Sequence, residues 1–180
     1  MPFFILPLLV ILATVVADQV SKLLVVHFLY GKSVTVIPGI LNFTYVENRG
    51  MAFGLLADKR WIFLVVSTVG ILLIAFYLFR YAKTRLARIS LALVVGGGIG
   101  NMIDRVALGF VVDFIDVCAF PSFWYWVFNI ADSAVCVGAV LYVLSVILEI
   151  IEDEKKKKAE ALVGESANEA TATDAEGQHD

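Results

Sequence analysis

Histidine and cysteine are nearly missing from this chain: two of each occur in 180 residues. His27 closes an apolar stretch, His179 lies in the C-terminal tail, and there is no HExxH. A zinc site of the usual kind is therefore excluded. Cys118 and Cys136 cannot be read as a disulfide framework, so both are taken as unpaired, hydrophobe-like thiols. No GxSxG elbow is present, and a Ser/His arrangement would have to rely on His27. A glycine-rich phosphate loop ending in Gly-Lys-Ser/Thr is also absent. So are an internal repeat and the inverted symmetry that marks many transporters.

What the chain has in quantity is hydrocarbon. Hydrophobic residues make up 60% of it and mean hydropathy is +0.86, whereas soluble domains run to roughly 45–50% apolar. This is the composition of a membrane protein. The net charge of −3 is uninformative, because the acids crowd into the tail after Glu149, and no nucleic-acid partner is expected. A span needs about 20 predominantly apolar residues, and four stretches qualify, at 3–26, 61–79, 89–106 and 123–148. The first is interrupted by Asp18, Gln19 and Lys22. The third ends in Asn101, Asp104 and Arg105, and the fourth opens with Asn129 and Asp132.

Basic residues near span ends set orientation. Arg80, Lys83, Arg85 and Arg88 lie between the second and third spans, and four lysines at 155–158 follow the fourth. With four spans these segments share one side, expected to be cytoplasmic together with both termini. Residues 28–60 and 107–122 then face outward, and the polar residues of the spans lie toward that face. The small-residue run Val15-Val16-Ala17 resembles a cleavage site, but no basic region precedes the apolar stretch. Keeping this segment as a span preserves the charge agreement.

The outer segment KSVTVIPGILNFTYVENRG is rich in β-branched and aromatic residues, with a Pro38-Gly39 turn signal between its halves. It predicts a hairpin over 33–46. After Leu162 the chain is poor in aromatics and rich in Ala, Glu, Thr and Ser, a composition expected to stay disordered. The expected organisation is a membrane domain over 1–150, with an outer β segment at about 33–57, and a cytoplasmic tail over 151–180.

Ionisable groups at membrane depth are costly and serve as functional candidates by default. Asp113 in VVDFIDV and Asp132 in FNIADSA flank one loop and are expected to converge from neighbouring helices. Asn129 and Asp132 stand at i, i+3 spacing, on one helix face. Two carboxyls held close cannot both ionise easily, so they share a proton near neutral pH. One can then act as base toward water while the other donates to a carbonyl oxygen. Pairing with a cation or capping of a helix fits the same residues equally well.

In GGGIGNMIDR, the spacing of Gly96 and Gly100 allows close approach of a neighbour, and Asn101 and Arg105 share a face. Arg105 can neutralise an aspartate, hold a lipid phosphate or a substrate carbonyl, or snorkel to headgroups. Asp104 points about 100° away from Arg105 and is expected to buttress another helix. In DQVSK, Asp18 and Lys22 at i, i+4 are expected to form a structural pair. Asn48 and Gly50 of ENRGMAFG suit an extended peptide backbone, although Asn and Gly in a loop often only make a turn.

Taken in order, DQVSK, ENRGMAFG, GGGIGNMIDR, VVDFIDV and FNIADSA resemble the conserved blocks of bacterial lipoprotein signal peptidase, the type II signal peptidase. The resemblance covers residues 3–148 and leaves out the acidic tail. It implies a mainly α fold, a bundle of four transmembrane helices with a small extracytoplasmic β-cradle. It also implies an aspartic endopeptidase of the cytoplasmic membrane, with no metal or organic cofactor, acting on diacylglyceryl-modified prolipoproteins just before the lipidated cysteine. By motif, Asp113 and Asp132 match the catalytic pair. Asn48, Gly50, Asn101, Arg105 and Asn129 match the substrate site, and Asp18 and Lys22 a supporting pair. Met51 departs from the family, which more often has a small residue there. A monomer among membrane lipids is expected. The rival from another class is a small proton-coupled transporter or channel subunit that uses Asp18, Asp113 and Asp132 as a relay.

Overall fold

Glycines and buried polar groups hold the helices together, because lipid offers no hydrophobic drive between them. The computed structural model describes residues 4–49, 60–119 and 126–176. Helix α1 runs over Ile5–Leu29 and continues through Asp18, Gln19 and Lys22. Strands β1 (Ser33–Ile37) and β2 (Leu41–Asn48) follow, then helices α2 (Arg60–Arg80) and α3 (Arg85–Ala107). Strands β3 (Val111–Val117) and β4 (Val127–Phe128) lead into α4 (Ile130–Glu176). Helices α1 and α3 and the Ile130–Lys158 stretch of α4 are long and apolar enough to cross a membrane, and α2 is apolar over Leu64–Arg80. The chain is a mainly helical membrane protein, with four helices and a small antiparallel sheet among the described residues.

Contacts divide the chain into two units, Met1–Tyr142 and Val143–Asp180. In the first, α3 is the hub, and its glycines face different neighbours. A Cβ on Gly96 would meet Thr14 of α1, one on Gly98 would meet Ile71 of α2, and one on Gly97 would run into the Ala131 carbonyl of α4. Large apolar side chains such as Leu12, Leu23, Val65 and Leu72 point outward, as a hydrocarbon solvent permits. The groups with little exposure include Asp18, Lys22, Asn101, Asp104, Asp113 and Asn129.

The sheet has the order β1-β2-β3-β4, antiparallel throughout. The expected hairpin is present as β1 and β2, turning at Gly39 with φ +72°. Residues 107–122 were expected to face outward, with Asp113 presented from a helix, and the fourth span to start at 123. Instead VVDFIDV forms β3 and the helix begins at Ile130. The reason is pairing at long range: Asn42, Val46 and Asn48 of β2 sit opposite Asp116, Asp113 and Val111. Val112 and Phe114 of β3 pack with Val25 of α1 beneath the sheet.

The second unit is the remainder of α4, helical to Glu176. Composition had predicted disorder after Leu162. A helix needs no core once a preceding span has nucleated it. Ala, Glu and Lys are strong helix formers, and Glu152/Lys156, Asp153/Lys157 and Glu154/Lys158 have the favourable acid-first i, i+4 order.

Candidate active site

Two local devices deliver the aspartates. Helix α3 ends when the Leu108 and Gly109 N–H groups both turn back to the Asp104 carbonyl, at 2.7 and 3.3 Å. Gly109 takes φ +84°, the left-handed conformation that ends a helix most cheaply in glycine. The chain then enters β3, which carries Asp113. It is therefore a strand, rather than a neighbouring helix, that presents this carboxyl.

The second device is the start of α4. Asn129 is not inside the helix but caps it: its Oδ1 accepts the Asp132 N–H at 2.8 Å, and Asp132 Oδ2 faces the Asn129 N–H at 3.4 Å. This reciprocal pairing is a capping box in which Asn and Asp stand for the more usual Ser/Thr and Glu. Asp18 of α1 reinforces it by accepting the Ala131 N–H at 2.9 Å, placing a carboxylate at the positive end of the helix.

From these devices a single network follows. Asn129 Nδ2 donates to Asp113 Oδ1 at 2.7 Å and to Asn101 Oδ1 at 3.0 Å. Asn101 Nδ2 donates to Asp132 Oδ1 at 2.7 Å. Asn48, at the end of β2, donates to Asp113 Oδ2 at 2.8 Å. Its neighbour Arg49 is held by Glu47 at 2.7 Å and lies over the Phe110 ring at 5.5 Å, which pins this strand end. The two carboxyls are thus linked through two asparagine amides. Asp113 is 1% exposed, whereas Asp132 is half-buried. The site opens on the Asp132 side.

Burial pushes the Asp113 carboxyl up from its ordinary 3.8 to about 6. The Asn48 donor opposes this, the Asp132 charge adds to it, and Asn129 and Lys22 oppose it more weakly.

Lys22, 3% exposed, reaches Asp18 at 2.9 Å, Asp104 at 3.0 Å and Asn101 Oδ1 at 3.0 Å. Asp104 also accepts the Val112 N–H at 3.0 Å and so ties α3 to β3 as well as to α1. Arg105, half-buried, contacts the Asn101 carbonyl at 3.3 Å rather than either aspartate. Gly50 and Met51 lie outside the described residues. Gln19 had been given no role, yet it donates to Asp18, Asp104 and the Gly100 carbonyl at 3.0–3.1 Å. The signal was there, because Asp18, Gln19 and Lys22 fall on one arc of a helix with 3.6 residues per turn.

The family model described as signal peptidase (SPase) II matches residues 10–148. The chain belongs to the signal peptidase II family. Signal peptidase II is an aspartic endopeptidase, and this chain is accordingly a multi-pass membrane protease of the inner membrane. Two solved structures of a bacterial membrane enzyme, obtained by the in meso method, are similar to it. The one at 2.3 Å resolution is 32% identical with a TM-score of 0.73, covering 82% of this chain and 91% of its own. The one at 1.9 Å is 33% identical with a TM-score of 0.74, covering 79% and 94%.

Proposed function

We propose that Asp113 and Asp132 are the catalytic pair with which this signal peptidase II removes the signal peptide from diacylglyceryl-modified prolipoproteins, cleaving before the lipidated cysteine. The observation that carries this reading is the pair itself: one carboxyl buried and held in its protonated form to higher pH, the other half-open, both tied to the same asparagine amides.

The pair acts on water. The ionised carboxylate removes a proton as the oxygen attacks the scissile carbonyl, and the protonated one donates to the carbonyl oxygen. The resulting diol collapses as a proton passes to the leaving amine. Asn48, Gly50, Asn101, Arg105 and Asn129 hold the peptide around the cleaved bond, and Asp18, Lys22 and Asp104 support the pair. The acyl chains lie between helices. An apolar groove of about 410 Å³ between α2 and α3, lined in part by Ile99, Met102 and Val106, suits them and lies next to Asn101 and Arg105 in sequence.

In this reading the enzyme is a monomer among membrane lipids, with both termini cytoplasmic and the pair toward the outer face, as the arginines at 80, 85 and 88 argue. The rival relay needs acids spaced across the bilayer. Here Asp18, Asp104, Asp113 and Asp132 join one cluster.

The test is incubation of the purified protein with a diacylglyceryl-modified prolipoprotein and its unlipidated counterpart. Cleavage of the lipidated form alone is expected, and equal cleavage of both removes the lipid from the account. A C-terminal tag that external protease digests in intact cells overturns the orientation.

A further inference from the structure

An asparagine amide can be flipped end for end at little cost, so something must decide which end of Asn101 meets Asp132. In the observed arrangement Asn101 Oδ1 lies 3.0 Å from the Lys22 ammonium and 3.0 Å from Asn129 Nδ2. Its Nδ2 lies 2.7 Å from Asp132 Oδ1. Turning the amide over would set its NH2 group against an ammonium and another NH2, and its oxygen against a carboxylate. All three new contacts are repulsive.

Lys22 has nothing to spare for another role: its three N–H donors meet Asp18, Asp104 and Asn101 at 2.9–3.0 Å, which exhausts an ammonium. It touches neither catalytic aspartate in this set of contacts. Beyond the weak effect of its charge on Asp113, the hydrogen-bonded route from Lys22 to the pair runs through Asn101.

We infer that Lys22 is a positioning residue for the peptidase reaction, whose ammonium locks the Asn101 amide in the one orientation that presents a donor to Asp132 and an acceptor to Asn129. The lock has two arms. Through Asn101 Nδ2 it fixes Asp132 Oδ1 as a hydrogen-bond acceptor and leaves Oδ2, which among the described residues has the long 3.4 Å contact to the Asn129 N–H, to act on water. Through Asn101 Oδ1 it draws in one N–H of Asn129, whose Nδ2 also reaches Asp113 at 2.7 Å. A single buried cation thereby orients the donors on both carboxyls. This goes beyond structural pairing with Asp18, and it rests on the catalytic reading of Asp113 and Asp132.

A double-mutant cycle on turnover tests it. Lys22→Met and Asn101→Leu are assayed singly and together, with rates referred to the folded fraction in each lipid preparation. Misplaced catalytic groups cost up to about 100-fold. The expected result is that Lys22→Met lowers kcat roughly 10- to 100-fold with KM within about twofold, and lowers it less than about twofold further when Asn101 is already Leu. Losses that multiply, or a loss carried by KM, overturn the proposal. Lys22→Met leaves the carboxylates of Asp18 and Asp104 uncompensated. If it does not fold, the same cycle run with Lys22→Gln, which keeps a neutral donor, decides the question by the same criterion. Asp113→Asn and Asp132→Asn are run alongside. If either retains full turnover, the catalytic reading falls and takes this proposal with it. If both are inactive while the cycle is multiplicative, only the role of Lys22 falls.

Discussion

Asp113 owes its chemistry to where β3 places it. A carboxyl raised from 3.8 to about 6 by burial holds its proton more tightly folded than unfolded. The stability it contributes is fully present below about pH 4 and lost as pH rises through about 6. The same proton belongs to the singly protonated pair that hydrolysis needs, so kcat/KM should fall on the alkaline side of about pH 6, where the free enzyme loses it. A bound peptide excludes more water, so the alkaline limb of kcat should lie at higher pH than that of kcat/KM. Coincident limbs, or a kcat/KM that rises steadily from pH 5 to pH 8, contradict the assignment. At Asp18, which is 0% exposed, replacement by Asn leaves Lys22 paired with Asp104 alone and replaces the carboxylate that accepts the Ala131 N–H at the start of α4. Weakening a hydrogen bond to a charged group costs about 1.5–3 kcal/mol. A clear fall in the thermal midpoint, with activity lost in parallel, is the expected outcome of Asp18→Asn.

Among the elements, α3 carries the tightest constraint. A Cβ on Gly100 would lie 2.5 Å from Asp18 Oδ2, so Gly100→Ala must push α1 aside and disturb the ion cluster. Overpacking of this kind costs about 1–3 kcal/mol. The expected result is a lower midpoint and slower processing. Gly70 of α2 meets nothing within 4 Å, so Gly70→Ala should change stability by no more than about 1 kcal/mol. Thermal unfolding of both variants in one lipid mimetic separates close approach from a general intolerance of alanine. Much of this was legible in the sequence. Four apolar stretches marked the helices, and the glycines of GGGIG marked a crowded face. The Pro38-Gly39 turn marked the hairpin. Strand β3 was not legible, because VVDFIDV is stabilised by pairing with β2, some 70 residues earlier in the chain, and a short apolar run without its partner reads as readily as loop or helix. Asn129 was placed on a helix face because its spacing to Asp132 fits one. The same spacing is that of a cap and the third residue of its helix, which only the backbone distinguishes.

At the scale of the whole molecule, the residues of the proposed site, including Asp132 in the first turn of α4, all lie within the first unit, Met1–Tyr142. Truncation after Lys158 should leave processing of a lipidated precursor within about twofold of the full chain, since the residues of the proposed site all precede it in the first unit. A loss greater than tenfold in that assay would give the tail a function of its own. The central claim concerns the pair of aspartates, and one comparison addresses it most directly. Wild-type protein, Asp113→Asn and Asp132→Asn, each shown to be folded, are incubated in the same lipid with a diacylglyceryl-modified prolipoprotein. Release of the signal peptide by the wild type, with at least a roughly 1,000-fold loss in each variant, is the predicted result, in line with the loss of an acid or base from a reaction that needs both. Signal-peptide release at the wild-type rate by either folded variant would contradict it.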